Sequence, residues 1–130
     1  MRFELIDRVT EQQEDRLVAI KTVTAAEEYL ADHFPGFAVL PGVLMLEALV
    51  QAGRRLAACQ PDPPTRPLIM DQARNVKYGN MVRPGQALEV EVTLRGREGD
   101  SFEFAGTGRV DEQVAVQGRF RLTPLDDDKP

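Results

Sequence analysis

Cysteine is nearly missing from this chain: Cys59 is the only one in 130 residues. That excludes an intrachain disulfide framework and fits a reducing compartment, with Cys59 expected as filler near a helix end. There is no tryptophan and only one histidine, His33. No apolar run reaches the length of a membrane-spanning helix, and the charged start (Arg2, Glu4, Asp7, Arg8) is unlike a signal peptide, so a cytoplasmic location is expected. An excess of basic residues is also missing. The net charge is −5, which argues against a general nucleic-acid binder or a protein held to anionic membranes. Neither metal-ligand spacing nor a glycine-rich dinucleotide fingerprint occurs, so no metal and no nucleotide cofactor is expected.

What remains is the composition of an ordinary folded domain, 42% hydrophobic and 28% charged. The length supports one core, and a single domain is expected over residues 1–124. Residues 125–130, with Asp126, Asp127 and Asp128, form an acidic tail expected to be disordered.

Phe3 to Val9 reads as a first strand and the β-branched stretch Arg16 to Val23 as a second. Thr24 and Glu27 match a capping box, which predicts a short helix over Ala25 to Leu30. Pro35 and Gly36 then enforce irregular backbone from Asp32 to Leu40. A long helix is predicted from Pro41-Gly42 to Ala58, with the proline at its first position and Pro61-Asp62-Pro63-Pro64 beyond its end. This helix is apolar nearly all round, apart from a narrow stripe of Glu47, Gln51 and Arg54 or Arg55.

Strands fill the second half. Pro67 to Tyr78 carries mixed signals. Leu88, Val90, Val92 and Leu94 alternate with polar residues, Glu98-Gly99-Asp100 is a turn, Phe102 and Phe104 open a further strand, and Val114, Val116, Phe120 and Leu122 mark the last. The plan is α+β: antiparallel strands with one apolar face, and a helix apolar enough to lie in their concave side.

Two residues point to chemistry. From Val39 to Val50, Glu47 is the only polar side chain, and the only imidazole, His33, precedes it by fourteen residues. A carboxyl held among apolar groups suits a proton donor near neutral pH, and an imidazole suits a base. Taken singly, His33 fits equally a turn residue beside Pro35, and Glu47 the solvated edge of a helix in line with Gln51 and Arg54.

The succession His33-Phe34-Pro35-Gly36, Pro41-Gly42-Val43-Leu44, and Leu46-Glu47-Ala48-Leu49 with Gln51 resembles the β-hydroxyacyl-acyl-carrier-protein dehydratase family. Leu5-Ile6-Asp7-Arg8-Val9 and Arg83-Pro84-Gly85 are similar to further family segments, so the likeness runs from Arg2 to Leu122. The resemblance implies the hotdog fold, an antiparallel β-sheet wrapped around one long central helix. It also implies reversible dehydration of a 3-hydroxyacyl thioester on acyl carrier protein to the trans-2-enoyl thioester.

On the same resemblance His33 removes the C2 proton and Glu47 gives a proton to the departing C3 hydroxyl. The Gly42 backbone N–H faces the thioester carbonyl, and the Val39 backbone carbonyl orients His33. The implied partner is acyl carrier protein bearing a phosphopantetheine-linked chain, with no cofactor beyond that arm. The implied assembly is a homodimer or a trimer of dimers, with His33 and Glu47 of different subunits meeting. Neither nucleic acid nor membrane is implied.

Arg54, Arg55, Arg74, Lys77 and Arg83 are candidates for a docking patch or, equally, for ordinary solvated surface; Tyr78 is a candidate for gating a tunnel or, in preference, for packing. Asp32, Gly79-Asn80-Met81 and Gln86 depart from the family pattern, which bears on chain length and carrier docking. Competing expectations are a hotdog thioesterase, a double-bond isomerase, or a non-catalytic acyl-carrier-binding subunit.

Overall fold

The computed structural model describes residues 4–23 and 40–125. Six strands and one helix are described: β1 (Arg8–Gln12), β2 (Arg16–Thr22), α1 (Gly42–Ala58), β3 (Leu68–Tyr78), β4 (Ala87–Glu98), β5 (Ser101–Val110) and β6 (Gln113–Pro124). They form one sheet in the order β1-β2-β4-β5-β6-β3, antiparallel at every step. The helix lies against the concave face and touches β2, β3, β4, β5 and β6. This is the expected hotdog arrangement. The capping box at Thr24 and the short helix predicted after it lie outside the described residues.

Alternation produces the sheet. Along β5 every second residue, from Phe102 to Val110, is buried and its neighbours are partly exposed. The apolar set therefore falls on one face, which is the face that meets the helix. Phe104 is fully buried between two other rings, with centroids 5.3 Å from Phe120 and 6.3 Å from Phe102. Two glycines admit the helix to this layer. A Cβ on Gly106 would lie 3.2 Å from Leu49 Cδ1, and one on Gly53 would lie 3.0 Å from the Phe120 ring edge.

Three local expectations need correction. The first strand begins at Arg8, not Phe3. Leu5 and Ile6 are buried, but Leu5 gives its N–H to the Gln51 side-chain oxygen at 2.8 Å, so this segment docks on the helix and does not pair in the sheet. Pro41 is the residue before the helix, with φ −59° and ψ 142°, and its carbonyl accepts from the N–H groups of Leu44 and Met45. Val114 is more than one-third exposed, because a register shift between Gly108 and Arg109 displaces the start of β6 from strict alternation. The mixed signals of β3 have a counterpart in two irregularities of its pairing with β6, after Met70 and after Arg74, and Asn75 adopts φ 55°.

Charged groups lace the outer face. Arg16 bonds Glu91 on β4 and reaches Glu11 on β1 at 3.0 Å, while Arg109 on β5 donates to the other Glu91 oxygen at 3.0 Å. The hydrogen bond from Arg16, with that from Arg109, holds the Glu91 carboxyl below its ordinary range. The pair therefore stabilises the fold at neutral pH, a contribution that fades as pH falls through that lowered value.

Arg97 holds the helix exit. Its guanidinium donates to the Asp62 carbonyl at 2.6 Å, to Pro61, and to Gly99 at 2.7 Å, and sits 4.6 Å from the centre of the Phe102 ring. The loop after α1 is thereby tied to the β4–β5 hairpin. Arg97→Ala is expected to cost about 1–2 kcal/mol, allowing for its partial exposure. The check is denaturant unfolding: an unchanged midpoint would mean that water replaces these bonds without loss.

Candidate active site

Gly42 and Glu47 lie on the same helix. Gly42 is the first residue of α1, where backbone N–H groups have no acceptor within the helix and the helix dipole favours negative charge. Leu44 and Met45 turn back to the Pro41 carbonyl, so the donors at the tip are those of Gly42 and Val43. The Tyr78 ring covers the α-carbon of Gly42: a Cβ there would lie 3.0 Å from its Cε1. Tyr78 thus packs as expected, on the helix tip, while remaining 52% exposed. Only glycine leaves that space open.

Glu47 stands about 7.5 Å further along the axis, at 1.5 Å per residue. It is not sunk in the core. Its side chain is 34% exposed and meets Arg54 Nη1 at 3.3 Å. Around it Val43, Leu46, Val50 and Met70 line a cavity of about 140 Å³, with Glu47 and Arg54 as its polar members. A carboxylate at the rim of an apolar recess has room for a small reacting group beside it. A larger cavity, of about 360 Å³, lies elsewhere and is lined by Asn80, Arg83, Gln86 and Asp111 among others. Neither Gly42 nor Glu47 lines it, and the smaller recess is the one beside a candidate acid.

Arg54, a candidate for a docking patch or solvated surface, is found in the recess, its Nε donating to the Leu68 carbonyl at 2.9 Å. Arg74 pairs with Glu103 at 3.4 Å, and Arg55 is exposed in the last turn of α1. The Glu47–Arg54 pair was not foreseen, although its signal was present: residues seven apart sit nearly above one another on a helix. His33, Val39 and Asp32 lie outside the described residues. Among the described residues, no group of three or more His, Cys, Asp or Glu side chains could hold a metal ion, and no helix is long and apolar enough to cross a membrane.

Comparison with known proteins gives a consistent result. A family model described as FabA-like domain matches residues 1–119. The chain is 42% identical over 125 residues to the 3-hydroxyacyl-[acyl-carrier-protein] dehydratase FabZ of Anaeromyxobacter dehalogenans, covering 91% of this chain and 78% of that one. It is 37% identical over 116 residues to the protein of the same name from Lactococcus lactis subsp. cremoris, covering 89% and 81%. Among solved structures, the dehydratase heterocomplex ApeI:P from Xenorhabdus doucetiae superposes with a TM-score of 0.75 at 18% identity, over 95% of this chain and 84% of that one. Thioesterase superfamily member 2 from Mus musculus superposes with a TM-score of 0.68 at 12% identity, over 88% and 78%. At such identities the two structures speak to the fold alone.

Proposed function

Since this chain belongs to the FabA-like family, we propose that it catalyses the reversible dehydration of 3-hydroxyacyl thioesters, carried on acyl carrier protein, to trans-2-enoyl thioesters. The observation that carries the site assignment is the setting of Glu47, a lone carboxylate at the rim of an apolar recess, on the helix whose tip is Gly42.

In this reading His33 takes the C2 proton, and electron density moves onto the thioester oxygen. The Gly42 N–H, at a helix N-terminus, stabilises the enolate-like charge that develops there. Glu47 gives its proton to the C3 hydroxyl, directly or through a water, so that water and not hydroxide departs. The C2–C3 double bond forms as the C3–O bond breaks. The Val39 carbonyl accepts from one ring nitrogen of His33 and leaves the other free to act.

Acyl carrier protein as partner, a homodimer or a trimer of dimers as the working assembly, and a cytoplasmic setting belong to the same proposal. Supporting the last is the single cysteine, Cys59, which is unpaired and exposed. The test is single-turnover mass spectrometry on a 3-hydroxyacyl carrier protein. Loss of one water from the acyl group is expected; free thiol released with no water lost would assign thioesterase chemistry instead.

A further inference from the structure

Glu47 must exist in two states if it donates a proton and is later recharged, and the structure holds a partner suited to only one of them. Arg54 lies seven residues after Glu47, about 20° away around the helix and 10.5 Å along it. Helical side chains lean toward the N-terminus, so a long one at 54 extends back over the turn that carries 47. The guanidinium spans two elements: Nη1 meets Glu47 Oε1 at 3.3 Å, and Nε donates to the Leu68 carbonyl at 2.9 Å. Leu68 is buried at the start of β3, so that oxygen is a fixed point of the sheet. Val43, Leu46, Val50 and Met70 complete the recess. A cation there has no structural need to point inward, because its side chain is already one-third open to solvent.

From this geometry we infer that Arg54 is a positioning residue for Glu47: anchored on the Leu68 carbonyl, it fixes where the carboxyl sits and takes up the negative charge left when the proton passes to the departing hydroxyl. The inference rests on the dehydratase reading. In the forward step the Glu47 proton leaves with the C3 oxygen as water, and the carboxylate that remains is the form that pairs with Arg54. In hydration the pair yields as Glu47 recovers its proton from water adding to C3. In this assignment Arg54 acts through Glu47, the only side chain of the recess to which it bonds. Its effect therefore falls on the chemical step and not on binding.

The experiment compares Arg54→Met and Arg54→Lys with wild type, at saturating and at limiting 3-hydroxyacyl carrier protein, and each variant again in a Glu47→Gln background. Arg54→Met keeps the unbranched stem and its apolar packing but supplies neither charge nor side-chain N–H. Its kcat is expected to fall about tenfold with KM within about twofold. Arg54→Lys is expected to recover part of that loss, since a point charge can face Glu47 but cannot fork to Leu68 as well. In the Glu47→Gln background, Arg54→Met is expected to change the residual rate by less than about twofold.

Thermal unfolding of each variant separates loss of rate from loss of fold, and Arg54→Lys carries the test if Arg54→Met does not fold. Equal kcat in wild type and both variants would overturn the inference while leaving the dehydratase reading intact. So would a full loss from Arg54→Met that persists in the Glu47→Gln background. A wild type that loses no water overturns both.

Discussion

Glu47→Gln is expected to slow water loss by about 10²–10⁴-fold, with the melting temperature nearly unchanged. The amide has the carboxyl's shape and still offers an oxygen to Arg54 Nη1, but its N–H protons are not acidic enough to pass to a leaving hydroxyl. Because the side chain is partly exposed and its ion pair with Arg54 is open to solvent, the stability change should stay within about 1 kcal/mol. Packing and chemistry are therefore separable at this position. His33→Ala should produce a loss of the same order. In the proposed mechanism base and acid serve the same turnover, so the double variant should be little slower than the slower single. The measurement is steady-state turnover of a 3-hydroxyacyl carrier protein beside thermal unfolding. Full activity in both variants would remove His33 and Glu47 from the chemistry.

Phe104→Ala should be the most damaging single change to stability, at about 3–5 kcal/mol. The ring is fully buried on the inner face of β5. Its cross-strand partners are Leu94 on β4 and Phe120 on β6, and the nearest aromatic centroids lie 5.3 Å and 6.3 Å away. Removing it leaves a cavity bordered by two large rings that cannot both close over it, and forfeits ring–ring contact as well. Against a total of about 5–15 kcal/mol for a domain of this kind, such a loss leaves little margin. The melting temperature should drop by roughly 10–25 °C. A cost below about 1 kcal/mol in denaturant unfolding would show that the aromatic layer relaxes freely, contrary to its packing.

Periodicity made most of the fold legible. The alternation in β4 and β5 admits one placement, because a one-residue slip would turn every apolar side chain to water, and the long apolar run of α1 marks the element that the sheet must cover. What failed was whatever depended on a partner distant in sequence. Leu5 and Ile6 look like strand residues because they are buried, but apolar pattern reports burial and not pairing; the Gln51 side chain takes the hydrogen bond that a neighbouring strand would have taken. Val114 broke alternation through a shift set by the β5–β6 hairpin, with Asp111 and Glu112 both at positive φ.

At the site, Glu47 stands out as the one polar side chain of an apolar run, while Gly42 enters only through the family resemblance. The inward turn of Arg54 could not be read from the sequence, since the Leu68 carbonyl that attracts it belongs to β3, a strand with weak periodicity. A row of arginines read along the chain looks like surface, and nothing in that row tells which one faces a carbonyl.

A helix that is apolar on almost every side has only a narrow polar stripe to guide how it is turned about its own axis. In this molecule two missing side chains fix that angle further. Leu49 seats over Gly106, and the Phe120 ring edge seats against Gly53. These are interlocking points on opposite partners, one a knob from the helix and one a knob from the sheet. Rotating the helix by one residue, about 100°, would drive both into occupied volume. With the rotation locked, Glu47 has one direction left, toward Met70 and the start of β3. The aim of the candidate acid is therefore decided in the core, by glycines that do not line its recess.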